Sequence, residues 1–355
     1  MLFLTFFFRE EKVELSLPSK LYGMVGEEYN IYFQNILNDD VRDYDFAVTS
    51  YVGEQLEDRL RIVPPEHGIY EITIKAYRDG VEKASATSFL MVADREAGRD
   101  ETRSVLVIGD STTANGMCME KLVQNFEGDV MDISLLGTKG SKGIYHEGIS
   151  GWKLEDYGKG SERDNEINLF WNTESNHFDF RFYMDEQGYE SVDYVFINLG
   201  INDLFDVSEE ELKDKKIEEM LGWLTEMTDS IHEFDPSIKI GIAVTIPPGD
   251  DQNAFGKAYG TAHNLWQYRR KYFLWCSALI KEFGQQEEAG IYLIPINTNL
   301  DTKHNMGIET ETVNARNEMT VDRISANGNV HPDESGYWQI ADVYWFFIKT
   351  CETFE

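Results

Sequence analysis

Apolar and polar residues alternate in short runs along the first quarter of the chain. Val13-Glu14-Leu15-Ser16-Leu17, Tyr29-Asn30-Ile31-Tyr32-Phe33 and Tyr70-Glu71-Ile72-Thr73-Ile74 each repeat with period two, the mark of strands with one buried face. Asp79-Gly80 is a hairpin signal ahead of a further strand over 84–92. No helical spacing interrupts these runs, so residues 1–95 read as a small antiparallel β-sandwich. A charged stretch containing Gly98 follows, and residues 96–103 read as a linker.

From residue 104 the pattern changes. Ser104-Val105-Leu106-Val107-Ile108 is a continuous apolar, β-branched run, as expected of a strand buried on both faces. Similar runs at 131–136, 193–199, 239–246 and 291–296 alternate with helical segments. One of these opens with Ser208 and Glu211 and continues through Ile217, Met220, Leu221 and Leu224; others cover 261–283 and 335–349. Strands alternating with helices argue for a parallel sheet covered by helices. Residues 104–355 therefore read as one α/β domain with a five-stranded parallel sheet.

Composition narrows the choice of function. The chain has 355 residues, 42% hydrophobic and 13% aromatic, as expected of an ordered globular protein. Its net charge of −32, from 64 acidic and 32 basic residues, repels nucleic acid and anionic membranes and does not gather anionic substrates. The three cysteines, Cys118, Cys276 and Cys351, show neither a disulfide framework nor metal-ligand spacing. The opening run Met1-Leu2-Phe3-Leu4-Thr5-Phe6-Phe7-Phe8-Arg9 lacks a basic start and a cleavage site. No stretch is long enough to span a bilayer. A cytoplasmic protein is expected.

Four segments carry candidate chemistry: Gly109-Asp110-Ser111, Ser150-Gly151, Gly200-Ile201-Asn202-Asp203 and His331-Pro332. Ser111 follows a buried strand, and ligands of open α/β sheets bind beyond the carboxyl ends of their strands. A serine hydroxyl needs a base, and His331 is the candidate among seven histidines. The N–H groups of Ser111 and Gly151 and the amide of Asn202 could serve an oxyanion. Singly, these residues also read as a helix cap, a turn glycine and a turn asparagine. In this order they resemble the SGNH (GDSL-type) hydrolase family over roughly residues 103–355. The resemblance implies Ser111 as nucleophile, Gly151 and Asn202 as oxyanion residues and His331 as base, with Asp110 and Asp203 structural. It also implies a flavodoxin-like sheet and no cofactor, and the scattered histidines do not suggest a metal site.

One position departs from the family, which carries an aspartate three residues before its histidine to orient the ring. Here that position is Gly328. The expectation is a Ser–His dyad in which a backbone carbonyl or an Asn orients the ring, with Asp322 the nearest carboxylate for a displaced triad and Asp333 facing the start of the last helix. Trp152, beside the oxyanion glycine, and Trp171, within the segment 152–190, are candidate substrate walls; Trp266 and Trp275 read as core. The loop 247–250 should also line the crevice. The segment 152–190 resembles a feature of bacterial SGNH esterases acting on plant polysaccharides. The expected partner is thus an acetylated, neutral oligosaccharide such as acetylated xylo-oligosaccharide, with a homo-oligomer left open. The rivals are a lipid-directed esterase or thioesterase and a degenerate carbohydrate-binding or assembly protein.

Overall fold

The computed structural model describes residues 12–163, 165–260 and 264–354; the apolar run at 1–9 lies outside the described residues. A mixed α/β fold is present, built on a seven-stranded sheet rather than five strands. The strand Thr102–Gly109 is central and pairs in parallel with Tyr194–Asn198, which continues in parallel through Lys239–Ala243 to Ile291–Ile294. On its other edge two strands share Thr102–Gly109, with Asp132–Leu136 along its start and Ile144–Gly148 at its end. The extra strands are the hairpin Lys139–Ser141 and Ile144–Gly148, the sheet's antiparallel pair. Short and glycine-punctuated, this hairpin lacks the apolar run that marks a buried strand.

The central strands are apolar throughout because both faces are covered: Val105, Leu106, Val107, Ile108, Val195 and Phe196 are fully buried. The last helix, Glu334–Phe354, packs against the helix Met117–Phe126. Among the described residues, no helix is long and apolar enough to cross a membrane. All three cysteines are buried, and none is in a disulfide among the described residues.

The N-terminal strands form a four-stranded sheet and a three-stranded sheet. The expectation of a purely antiparallel arrangement is corrected, because Lys20–Met24 runs parallel to Val81–Ala93. That of a helix-free region is corrected by the helical turn Phe33–Ile36. Asp79 and Gly80 both have positive φ, 53° and 74°, as a tight hairpin requires. Val13–Leu17 forms only an isolated bridge, Leu15 with Leu37.

These sheets share one continuous hydrophobic core with the α/β part. Tyr29 Oη lies 2.5 Å from Thr298 Oγ1, and the buried Asn35 donates to the carbonyls of Asn297 and Leu300. The segment read as a linker is tied down by Lys349. Its fully buried ammonium donates to the carbonyls of Arg95 and Ala97 and to Asp129.

Candidate active site

Three strand ends lie in one row. Gly148 and Asn198 both pair with Gly109 across the sheet, and the chain turns after each. Ser111 stands two residues beyond Gly109, Gly151 three beyond Gly148, and Asn202 four beyond Asn198. Parallel pairing thus brings three distant segments to the same rim, where open α/β sheets hold their ligands.

The turn at Ser111 is shaped by its neighbours. Gly109 is glycine because a Cβ there would sit 2.1 Å from Thr113 Oγ1. Buried Asp110 caps the short helix Ser111–Ala114, accepting from the N–H and hydroxyl of Thr112. Burial pushes its carboxyl up to about 6, and its hydrogen bonds face away from Ser111. Gly151 has φ +75°, a left-handed conformation that favours glycine. Neither the N–H of Ser111 nor that of Gly151 donates to an acceptor among the described residues. Asn202 opens a 3-10 turn and donates one amide hydrogen to Trp152 O at 3.0 Å, leaving its second N–H. Asp203 accepts from Leu154 N at 3.1 Å, and burial raises its carboxyl to about 7. Together Asn202 and Asp203 lace their turn to the loop that carries Gly151.

His331 arrives from a loop stitched on both sides to residues 305–307. Ser325 N donates to Gly307 O, Asp333 N donates to Asn305 O, and Met306 bridges Pro332. Its Nε2 lies 2.9 Å from Ser111 Oγ, and its Nδ1 lies 3.2 Å from the carbonyl of Asn327. A carbonyl only accepts, so Nδ1 carries the proton and Nε2 presents a lone pair to the serine hydroxyl. Burial lowers the imidazole's pKa, against a smaller opposing effect of the Asn327 carbonyl. Asp322 lies elsewhere, exposed on a separate hairpin of Ile308–Asn314 with Asn317–Ile324, and accepts from Thr310 Oγ1 at 2.6 Å. Asp333 caps the last helix at Gly336 N. The loop 247–250 backs the histidine loop through Gly249 N to Asn329 O.

The two tryptophans are placed differently from one another. Trp152 borders the groove described below, although it is 1% exposed and packs edge-on against Tyr157. Trp171 packs on Gly160 and takes no part in that groove. Trp275 is core, whereas Trp266 is half-buried and borders a separate cavity near Arg269.

That groove, of about 840 Å³, starts at Ala114 and Asn115, on the turn that Ser111 opens, and at Ser150, next to Gly151, and runs to the hairpin 139–148, with Lys139, His146 and Arg163 on its wall; Ser111, Asn202 and His331 do not themselves line it. The sequence reading missed His146 and Arg163. Tyr145-His146-Glu147-Gly148 shows no alternation of apolar and polar residues, so no local signal pointed to His146. Arg163 donates to Gly151 O at 2.7 Å, a contact no local pattern announces.

Residues 105–343, more than half of the chain, match the GDSL-like lipase/acylhydrolase family. The chain belongs to this family of ester hydrolases. Several solved structures resemble the acylhydrolase at low identity. A protein of Agrobacterium tumefaciens provisionally assigned as an arylesterase is 14% identical, with 69% of this chain and 98% of that one covered and a TM-score of 0.41. A carbohydrate acetylesterase of Sinorhizobium meliloti is 12% identical, with 69% and 98% covered and a TM-score of 0.40. No curated protein matches the chain.

Proposed function

We propose that this acylhydrolase is a serine esterase that removes O-acetyl groups from a neutral carbohydrate, such as acetylated xylo-oligosaccharide, through an acetyl-enzyme. The observation that carries the reading is Ser111 Oγ at 2.9 Å from His331 Nε2, with Nδ1 turned to a carbonyl. Ser111 Oγ attacks the acetyl carbonyl carbon while its proton passes to Nε2. The N–H groups of Ser111 and Gly151 and the amide of Asn202 receive the oxyanion. Collapse breaks the bond to the sugar oxygen, which takes the proton from Nε2. Water, deprotonated by the same nitrogen, then attacks the acetyl-enzyme; acetate leaves and Ser111 regains its proton.

A groove walled by Lys139, Arg163 and Glu166 suits a polar alcohol portion better than a long acyl chain. Acetate release from a panel of acetylated oligosaccharides, with Ser111→Ala as control, tests the proposal. Ser111→Ala should lose several orders of magnitude in rate. Retention of a tenth of the activity, or faster cleavage of 4-nitrophenyl octanoate than of the acetate, would overturn it.

A further inference from the structure

His146 is 3% exposed, yet it borders the groove that starts at Ala114 and Ser150, next to the turns that carry Ser111 and Gly151. It lies on the strand Ile144–Gly148, where side chains alternate between faces. Glu147 faces inward, accepting from Thr138 and from Tyr183 Oη, whereas His146 and Gly148 both border the groove. The strand's position is enforced at Gly137, where a Cβ would lie 2.5 Å from the backbone of His146.

The ring's tautomer is set locally. Gly148 N–H donates to His146 Nδ1 at 3.1 Å, so that nitrogen is an acceptor and the proton of the neutral ring resides on Nε2. Burial, with Lys139 close by, lowers its pKa and keeps the ring neutral. Nε2 has no partner among the described residues and is not sealed in, so it opens into the groove. The neighbouring cations are engaged: Lys139 pairs with Glu166, and Arg163 with Gly151 O and Asp156.

The groove, about 840 Å³, far exceeds the roughly 60 Å³ of an acetyl group, taken as two water volumes. It therefore accommodates the alcohol portion of an ester. We infer that the Nε2–H of His146 is a fixed donor to an oxygen of that alcohol portion, making His146 a specificity-determining residue for oxygen-rich leaving groups. This deepens the proposed deacetylation of carbohydrate and rests on it. A sugar presents ring and hydroxyl oxygens as acceptors, whereas an alkyl alcohol leaves the buried donor unpaired, and such mismatches are how polar sites discriminate.

The test compares kcat/KM for acetylated xylotriose with that for 4-nitrophenyl acetate, taken as a ratio, in the wild type and two variants. His146→Asn keeps an acceptor for Gly148 N–H, but its amide N–H₂ ends short of the position of Nε2; His146→Gln retains an amide N–H near Nε2. The ratio should fall roughly three- to tenfold in His146→Asn, the worth of one neutral hydrogen bond, with the change in KM, and recover in His146→Gln. In the 15N-labelled wild-type protein, xylotriose should shift the His146 Nε2 resonance, a readout independent of how either variant folds. An unchanged ratio in His146→Asn, or an unmoved Nε2 resonance, overturns the assignment while leaving the deacetylase reading intact. A wild type that cleaves 4-nitrophenyl acetate but frees no acetate from any saccharide overturns both.

Discussion

His331 Nδ1 faces the carbonyl oxygen of Asn327 at 3.2 Å, four residues back in the same loop. A main-chain oxygen thus fixes the ring where the family resemblance led to an expectation of an aspartate. A neutral acceptor sets the tautomer as well as a carboxylate would, but it contributes less to stabilising an imidazolium.

The pH dependence follows. His331 must be neutral to accept the Ser111 proton, and burial holds its pKa below the ordinary 6.5. Activity is therefore present above that lowered pKa and lost as pH falls through it. The acidic limb of kcat/KM for 4-nitrophenyl acetate should lie below 6.5. A limb at 7 or above would reveal a carboxylate acting on the ring.

Side-chain removal around the histidine loop should be mild. Asp322→Ala cuts a bond to Thr310, and Asn327→Ala leaves the carbonyl in place. Each should keep kcat within a small factor of wild type, measured alongside thermal unfolding. Loss of a true triad acid costs on the order of 10⁴-fold, so a decrease of that size in either variant refutes the dyad.

Restoring the missing acid should fail. A Cβ on Gly328 would lie 2.2 Å from Gly307 O, and one on Gly249 would lie 2.7 Å from Gly328 O. Gly328→Asp should destabilise the protein by about 1–3 kcal/mol, the usual cost of overpacking, and should not raise kcat. Denaturant unfolding with steady-state kinetics checks both; a faster enzyme would show that the loop accepts a carboxylate there.

Asn202→Ala removes a proposed oxyanion donor together with the bond to Trp152 O. The expected loss is about 10²–10³-fold in kcat with little change in KM. A change confined to KM would assign Asn202 to substrate positioning.

Local pattern carried much of this. The buried strands at 104–108 and 193–199 are visible because burial on both faces imposes continuous apolar runs, and they bring Ser111 and Asn202 to one rim. The hairpin 139–148 was illegible, since its strands are short and its glycines, Gly137 and Gly140, answer to close backbone approach rather than to hydrophobic period. His146 was hidden with it. Proximity to Gly151 brought Trp152 to the edge of the groove, but it does not fix which way a ring turns, and packing against Tyr157 leaves the side chain almost fully buried. That a backbone carbonyl or an Asn would orient His331 followed from Gly328; which carbonyl could not be read, since every residue has one and only the fold aims it.

Lys349 gives the N-terminal sheets a standing that sequence boundaries conceal. Its ammonium, fully buried, is neutralised by Asp129 from within the α/β part but also leans on the carbonyls of Arg95 and Ala97. A shortened chain starting at Thr102 would strand that cation with a single partner and bare the flank of the last helix. Removing partners from a buried charge typically costs 3–5 kcal/mol, a large part of a domain's whole stability. The esterase and its β-rich front end are thus one heritable unit, to be truncated, grafted or recombined together.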